Sequence, residues 1–145
     1  MLYFRFVIDI AMFVAWALTL KYKMLWAGHE YVGVALFILF VLHMLLNWRW
    51  FTGLGKGTYN KTRIIRTAVN VGLLVAMLVT IVTAPFIARA IETGVNGNLP
   101  RATYKMLEGI HKAGGKLGFG LVVVHMFLHI PFFKNIFRKR QEVVG

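Results

Sequence analysis

Five histidines are the residues of this sequence whose type and spacing could support chemistry. Four of them form two pairs with partners 14 positions apart (43 − 29 and 125 − 111), His29 with His43 and His111 with His125. Fourteen residues rise about 21 Å along a helix, and at about 3.5 residues per turn they return to the same face. Each pair therefore predicts a helix that presents two imidazoles on one side, at two depths.

The two pairs belong to an internal repeat of 82 residues (111 − 29 and 125 − 43). In both copies a glycine follows the first histidine after four positions and a phenylalanine follows four positions later, which gives Gly33 with Phe37 and Gly115 with Phe119. Glycine lets a flat group lie close to the backbone, and the phenylalanine rings would fill the space between two sites. Helix packing alone is the alternative for the glycines, and core filling for the phenylalanines.

The composition predicts that membrane-spanning helices hold these histidines. The chain has 145 residues, of which 59% are hydrophobic and 15% charged, and its mean hydropathy is +0.67. A soluble domain of this length could not bury so much apolar surface, so the net charge of +12 is interpreted as basic membrane-protein loops rather than as nucleic-acid binding. The absence of cysteine excludes disulfides, iron–sulfur clusters, thiolate zinc sites and covalently attached c-type haem.

Four apolar stretches, each close to the length that crosses a bilayer, predict one all-α transmembrane domain over residues 1–145. The predicted spans are 6–20, 29–51, 67–90 and 110–133. The second and fourth run parallel, because one intervening span restores the direction. A small-x-small pattern at Ala15, Trp16 and Ala17 leaves a signal peptide as the alternative for the first span.

The distribution of basic residues predicts the orientation. Of the 17 lysines and arginines, ten fall on the side of the two termini and of the loop after the second span, and seven fall on the other side. Since basic loops stay in the cytoplasm, we expect both termini to be cytoplasmic. The chain is interpreted as an integral protein of a prokaryotic inner (cytoplasmic) membrane.

Parallel spans bring the histidines of the two copies to matching depths. We expect His29 opposite His111 near the outer surface, and His43 opposite His125 nearer the cytoplasm. Two opposed imidazoles with no further ligand in reach are typical of the axial ligands of a b-type haem, whereas zinc requires four ligands. The sequence therefore predicts two haems b with these four histidines as iron ligands. Hydrogen bonding to another helix is the alternative for each histidine taken alone.

Other polar residues could contact the haem edges. His129 lies one turn beyond His125 and aligns with Asn47 in the repeat, so we assign His125 to iron and His129 to the haem edge or the interface. Haem propionates need cationic partners near the membrane surfaces. The cationic candidates are Arg49, Arg63 and Arg66 on the cytoplasmic side and Lys21, Lys23, Arg101 and Lys112 on the other. Each of them could instead be only a topology charge.

A carboxylate in the first span and two glycines in the fourth lead to further expectations. Asp9 lies inside the first span, four residues after Arg5, so an i,i+4 ion pair is the simplest interpretation and proton handling during quinol oxidation is the alternative. In the fourth span, Gly118 and Gly120 are expected to add room for a bound group.

The histidine pattern resembles the four-helix di-haem cytochrome b architecture, which includes membrane subunits of formate dehydrogenases and hydrogenases. Residues 29–33 (HEYVG) and 42–50 (LHMLLNWRW), together with His125 and His129, are more similar to the flavinylation-associated cytochrome family. The resemblance covers essentially the whole chain. It implies an up-down four-helix bundle with haems between helices 2 and 4, and electron exchange with extracytoplasmic flavoproteins that carry covalent FMN.

These expectations describe an electron carrier rather than a stand-alone enzyme. Electrons would cross the lipid bilayer through two bis-histidine haems, to or from a separate FMN-carrying protein or the quinone pool. Two alternatives stay open. One is a quinol-oxidising or quinone-reducing cytochrome b subunit of a larger complex, and the other is a haem-free membrane bundle for assembly or transport. A homo-oligomer is compatible with the sequence, and no nucleic-acid partner is expected.

Overall fold

The computed structural model describes residues 2–20, 26–88 and 99–144, with side chains for 3–20, 28–88 and 99–130. The described residues form helices and no strand, which confirms the predicted all-α class. Lys21 and Lys23 lie outside the described residues. The helices are α1 (Leu2–Thr19), α2 (Trp26–Leu46), α3 (Trp48–Gly53), α4 (Lys61–Ile87) and α5 (Arg101–Val144).

Within the described residues, three helices are long and apolar enough to cross a membrane, over Gly28–Leu46 of α2, Lys61–Ile87 of α4 and Arg101–Ile130 of α5. At most 17% of the residues in the most apolar part of each are buried inside the protein, so their large apolar side chains face outward. Lipid is the surroundings in which such surfaces are stable. A membrane crossing by α1 stays a prediction.

The predicted second span is divided into two helices. α2 ends at Leu46 because the backbone of Asn47 leaves the helical region, with φ −106° and ψ 19°. The Asn47 amide Nδ2 donates a hydrogen bond to the carbonyl of His43 at 2.9 Å, which fixes this break. α3 is therefore a separate short helix, so the prediction of one continuous helix over 29–51 is wrong beyond Leu46.

The other two apolar helices begin earlier than predicted. α4 begins at Lys61, where the side chain of Asn60 accepts a hydrogen bond from the backbone N–H of Arg63 at 2.9 Å and caps the helix. α5 begins at Arg101 and reaches Val144, so it extends beyond both ends of the predicted 110–133. The residues at these helix ends are polar, so hydropathy alone does not predict that the helices extend over them.

The helices form two antiparallel pairs. In the first pair, Asp9 near the start of α1 contacts His43 near the end of α2, and Thr19 at the end of α1 contacts His29 near the start of α2. α4 packs along α5 in the same antiparallel manner. Each pair thus aligns histidine-bearing turns with polar residues of its partner helix.

Contacts between α1 and α5 join the two pairs. The Trp16 Nε1–H donates to the carbonyl of Gly115 at 3.2 Å, and the ring of Phe13 stacks on Phe119 at 5.7 Å. The order of these contacts makes α1 antiparallel to α5. Since α1 is also antiparallel to α2, helices α2 and α5 run in the same direction.

Trp16 is the centre of the apolar core. Its side chain is 5% exposed and packs with Leu36 and Met77. A Cβ atom at Gly118 would collide with its indole ring, so the glycine is what allows α1 and α5 to approach each other here. Gly114 has the same role toward α4, since a Cβ there would lie 3.2 Å from the methyl group of Thr80.

Candidate functional site

His29 and His111 form what we call the first histidine layer. Their ring centroids are 6.1 Å apart with an interplanar angle of 71°, although the residues belong to different helix pairs. His29 Nδ1 lies 2.9 Å from the backbone carbonyl of Thr19, which can only accept, so Nδ1 carries the proton and donates. The structure therefore brings together the two histidines that the repeat places at equal depth.

The His111 ring is held by the last turns of α4. Its Nδ1 lies 3.0 Å from the carbonyl of Thr80 and 3.0 Å from the hydroxyl oxygen of Thr83. Thr83 is buried, and its hydroxyl donates to the carbonyl of Val79 at 2.7 Å, which leaves the oxygen free to accept from the imidazole. These contacts fix the ring orientation and place the proton on Nδ1.

His43, His125 and His129 form the second histidine layer, toward the other end of the same helices. His43 Nδ1 donates to Oδ1 of Asp9 at 2.7 Å. The expected pairing of Asp9 with Arg5 is wrong, because among the described side chains the ion pair of Asp9 is with His43. The physical reason is tertiary: α2 places an imidazole beside this carboxylate.

Within the second layer, the ring in contact with His125 is that of His129. Their centroids are 4.5 Å apart and tilted by 35°. Among the described side chains no ring contact joins His43 to His125, although His43 and Asp9 lie within electrostatic range of His125 and His129. The structure thus gathers three histidines at this depth, and the two on α5 touch.

The amide of Asn70 faces Nδ1 of His125 at 2.9 Å and can be placed in two ways. With its oxygen toward the ring, His125 donates from Nδ1 and keeps a lone pair on Nε2. With its nitrogen toward the ring, the amide donates to Nδ1 and to the carbonyl of Arg66, and its oxygen accepts from the Trp50 indole at 3.2 Å. The second placement is favoured, because in the first the amide oxygen faces the Arg66 carbonyl and the amide nitrogen faces the Trp50 N–H. Binding of a metal through Nε2 of His125 requires the first placement.

Three rings, those of His29, His43 and His111, therefore carry the Nδ1 proton opposite an oxygen acceptor. Among the described residues no hydrogen bond occupies their Nε2 atoms. A histidine that binds a metal through Nε2 almost always donates its Nδ1–H to a carboxylate or a backbone carbonyl. Two rings that bind one metal from opposite sides have centroids about 6 Å apart, since each metal–nitrogen bond is about 2 Å. The first layer meets both of these conditions, in its Nδ1 hydrogen bonds and in its centroid distance of 6.1 Å.

A polar cavity of about 520 Å³ adjoins the second layer. Arg49, Arg66 and His129 line it together with polar groups from the start of α4. Arg66 donates from one terminal nitrogen to the carbonyl of Leu128 at 3.2 Å, while its Nε is buried without a partner. Arg5 Nε is likewise buried and unpartnered. Buried guanidinium N–H groups of this kind fit an anionic oxygen ligand.

The other cationic residues named from the sequence have different surroundings. Arg63 donates to the carbonyls of Gly53, Lys56 and Thr58, so it holds the α3–α4 loop. Lys112 pairs with Glu108 one turn earlier on α5 at 2.7 Å. Arg101 is exposed at the start of α5. Among the cationic candidates that the structure describes, Arg66 therefore has the strongest structural case, followed by Arg49.

The glycines and phenylalanines of the repeat have unequal surroundings. No described atom lies within 4 Å of a Cβ built at Gly33, and Gly115 approaches only the methyl group of Thr80, at 4.0 Å. Phe119 stacks on Phe13 in the core, whereas Phe37 is 44% exposed, so these two phenylalanines do not form a shared filling. The aromatic group between the two layers is instead that of Trp16, with Phe13 and Phe119.

The glycines beyond the repeat also differ from expectation. The space at Gly118 is occupied by the Trp16 indole, so it does not add room for a bound group. No described atom lies within 4 Å of a Cβ built at Gly120, which is exposed on the outside of α5. A single helix sequence cannot distinguish these cases, because they depend on which neighbour each face meets.

Sequence reasoning missed the partners that orient the rings. Thr83 and Asn70 lie in the third predicted span, and a polar residue inside an apolar span was the available signal. The same signal marked Asp9, but not its partner. Trp16 gave no signal, since an aromatic residue in an apolar helix is ordinary.

Among the described residues no group of three or more His, Cys, Asp or Glu side chains converges as a metal site. A haem would supply four of its six iron ligands itself, so two imidazoles are sufficient for that group. Comparison with protein-family models, with curated proteins and with solved structures finds no match for this chain. The part of the chain that the structure describes is thus all-α, with three helices long and apolar enough to span a membrane and two layers of histidines where its helix pairs meet.

Proposed function

We propose that this protein is a membrane cytochrome b that binds two haems and carries electrons across the bilayer. The proposed iron ligands are His29 with His111 in the first layer and His43 with His125 in the second. This places both haems between α2 and α5, within an up-down bundle of α1, α2, α4 and α5. Both termini are proposed to lie in the cytoplasm, on the basis of the distribution of basic residues.

The observation that carries this proposal is the arrangement of the first layer. The ring centroids of His29 and His111 lie 6.1 Å apart, and both rings hold their Nδ1 protons on fixed oxygen acceptors. Both rings also make the hydrogen bond to a neighbouring helix that the alternative of simple helix joining predicts. The support for a shared metal is that the two rings approach each other across the helix pairs while no hydrogen bond among the described residues occupies their Nε2 atoms.

When bound, a haem in each layer would take up one electron as its iron passes from ferric to ferrous, and would release it again. The chain's own contribution would be two histidines to hold each haem, a ligand set that supplies one-electron transfer. α1 keeps the layers apart, because Trp16 packs between the helix pairs at intermediate depth. This arrangement suits electron transfer rather than catalysis on a bound substrate.

Arg66 and Arg5 are the proposed partners of anionic groups at the second layer. Their buried, unpartnered Nε atoms would donate to carboxylates such as haem propionates. Arg49 and His129 line the same cavity and complete its polar wall. These contacts would place the propionates toward the end of the bundle where α3 and the loop before α4 lie.

The haem content of the purified chain tests this proposal. The proposed partner, an extracytoplasmic protein with covalent FMN, is tested by mixing reduced flavoprotein with the oxidised chain and following haem reduction. Rapid reduction by that protein, without reduction by a soluble quinol, supports the proposed electron exchange. Absence of reduction by either compound would remove both proposed donors.

A quinol-oxidising subunit is the second candidate function, and the polar cavity favours it. The cavity of about 520 Å³ has room for a quinone ring, and its wall includes His129. The ring centroid of His129 lies 4.5 Å from that of His125. A quinol bound there would lie beside a proposed iron ligand. Reduction by a quinol analogue that is lost in His129→Phe would support this function, and unchanged reduction in that variant would contradict it.

A further inference from the structure

The polar cavity beside the second histidine layer has a wall of one charge sign. Arg49 of α3 lines it, together with Arg63 and Arg66 from the first two turns of α4. Its uncharged polar groups are those of Asn60, Thr62, Thr67 and Asn70. A wall with three cations, and with no carboxylate among the described residues that form it, favours an anionic ligand.

Two of these arginines keep hydrogen-bond donors that the protein does not use. Arg66 donates from one terminal nitrogen to the carbonyl of Leu128, whereas its Nε is buried without a partner. The Arg49 side chain is exposed and makes no hydrogen bond or ion pair among the described residues. Arg63, in contrast, donates to three backbone carbonyls of the α3–α4 loop. Arg49 and Arg66 are therefore the two that can hold an anion, and Arg63 adds its charge.

The free donors of Arg66 do not require a haem at the second layer. Among the described side chains, the ring against His125 is that of His129 and not that of His43. In the favoured placement of the Asn70 amide, its nitrogen donates to Nδ1 of His125, so the ring proton lies on Nε2. A haem here, and its propionates, would need the other placement. An anion from outside the bundle needs neither.

The cavity lies at the end of the bundle where a membrane surface is expected. Trp50 lines it, and Trp48 in the same short helix is 59% exposed. Tryptophan is enriched at the level of lipid headgroups. On the turn of α4 that carries the arginines, Ile64 and Ile65 are each 52% exposed, so apolar surface borders the basic wall. Basic pockets between membrane helices at this level suit the headgroups of anionic lipids.

We propose that this cavity binds the phosphate group of an anionic phospholipid through Arg49 and Arg66. The phosphate oxygens accept charge-assisted hydrogen bonds from both guanidinium groups, and the acyl chains lie against the exposed isoleucines of α4. Inorganic phosphate has the same oxygens but no acyl chains to cover those isoleucines. An uncharged quinone would leave the arginines without a counter-charge. The inference goes beyond the proposed electron transfer and requires no haem.

The experiment is native mass spectrometry of the purified full chain, titrated with phosphatidylglycerol or with phosphatidylcholine. Phosphatidylglycerol should bind at one saturable site and more tightly than the zwitterionic lipid. Arg66→Gln should weaken its binding by at least about tenfold, as loss of a hydrogen bond to a charged group does, and Arg49→Gln should also weaken it. Lys61→Gln is the matched control, because it removes an exposed charge of α4 that lies outside the cavity wall, and it should leave the affinity unchanged.

Equal affinities of the Arg66→Gln and Lys61→Gln chains would overturn the inference, and so would equal binding of the two lipids by the wild type. Displacement of the lipid by an equal concentration of inorganic phosphate, or of a soluble quinone, would assign the cavity to that ligand and overturn it as well. If Arg66→Gln does not fold, Arg49→Gln decides, because Arg49 is exposed. The measurement reads lipid mass and not haem absorption, so its failure is distinguishable from failure of the proposed function.

Discussion

The imidazole rings of His29 and His111 lie with their centroids 6.1 Å apart and their planes at 71°, although 82 positions separate the residues (111 − 29). Each ring is oriented from within its own helix pair, His29 by the end of α1 and His111 by the end of α4. Their close approach therefore depends on how the two pairs dock. That docking is fixed mainly by Trp16 and Gly118.

Substitution of His129 and His125 separates the iron ligand from its neighbour. His129→Asn places at this position the residue that the repeat has at Asn47, and we expect it to keep two haems per chain. His125→Asn should lose the second-layer haem, because an amide is a poor iron ligand. Haem per protein, measured from the absorption spectrum, checks both variants. The opposite result, with loss only in His129→Asn, would make His129 the ligand.

Arg66 is expected to strengthen haem retention at the second layer. In Arg66→Gln the buried Nε–H is lost, and a hydrogen bond to a charged group is worth about 1.5–3 kcal/mol, which corresponds to at least about tenfold in affinity. Transfer of haem to apomyoglobin measures the retention. Lys61→Gln is the matched control, since Lys61 is exposed at the start of the same helix. Equal loss rates in the two variants would contradict the role given to Arg66.

The contact between Trp16 and Gly118 makes a prediction about stability. Gly118→Leu forces a side chain into the space of the indole, and overpacking of this kind costs about 1–3 kcal/mol. Unfolding in mixed micelles, followed by circular dichroism, measures the change. Gly120→Leu lies two residues away on the open side of α5, where a side chain meets nothing, and should raise the free energy of unfolding by about 0.5–1 kcal/mol, because glycine is unfavourable inside a helix. If both variants were equally stable, the docking of α1 on α5 described here would be wrong.

Hydropathy and histidine spacing predict the parts of this fold that are local and periodic. The apolar runs in α2, α4 and α5 are recognisable because each must be apolar along its whole length. The equal depth of His29 and His111 can be predicted because both occupy the same position in two copies of a sequence repeat that form parallel helices. The break after Leu46 does not follow, because it depends on the backbone of a single residue, Asn47.

The side chains that orient the rings could not be predicted in the same way. Asp9 and Asn70 are visible as polar residues in apolar helices, but their partners are set by the rotation of each helix about its own axis. The same rotation turns Phe37 outward and Phe119 inward, although both occupy the same repeat position. The spacing of residues along one helix carries no information about the rotation of that helix about its own axis.

The most direct test of the account is the visible spectrum of the purified, folded chain. Dithionite-reduced minus oxidised spectra should show haem b at about two per chain, and His111→Ala should reduce this to about one. The first-layer haem is the one expected to be lost, since His29 then has no opposite ligand. A folded, monodisperse preparation that is colourless after supply of haem, or a His111→Ala variant that keeps two haems, would contradict the central claim.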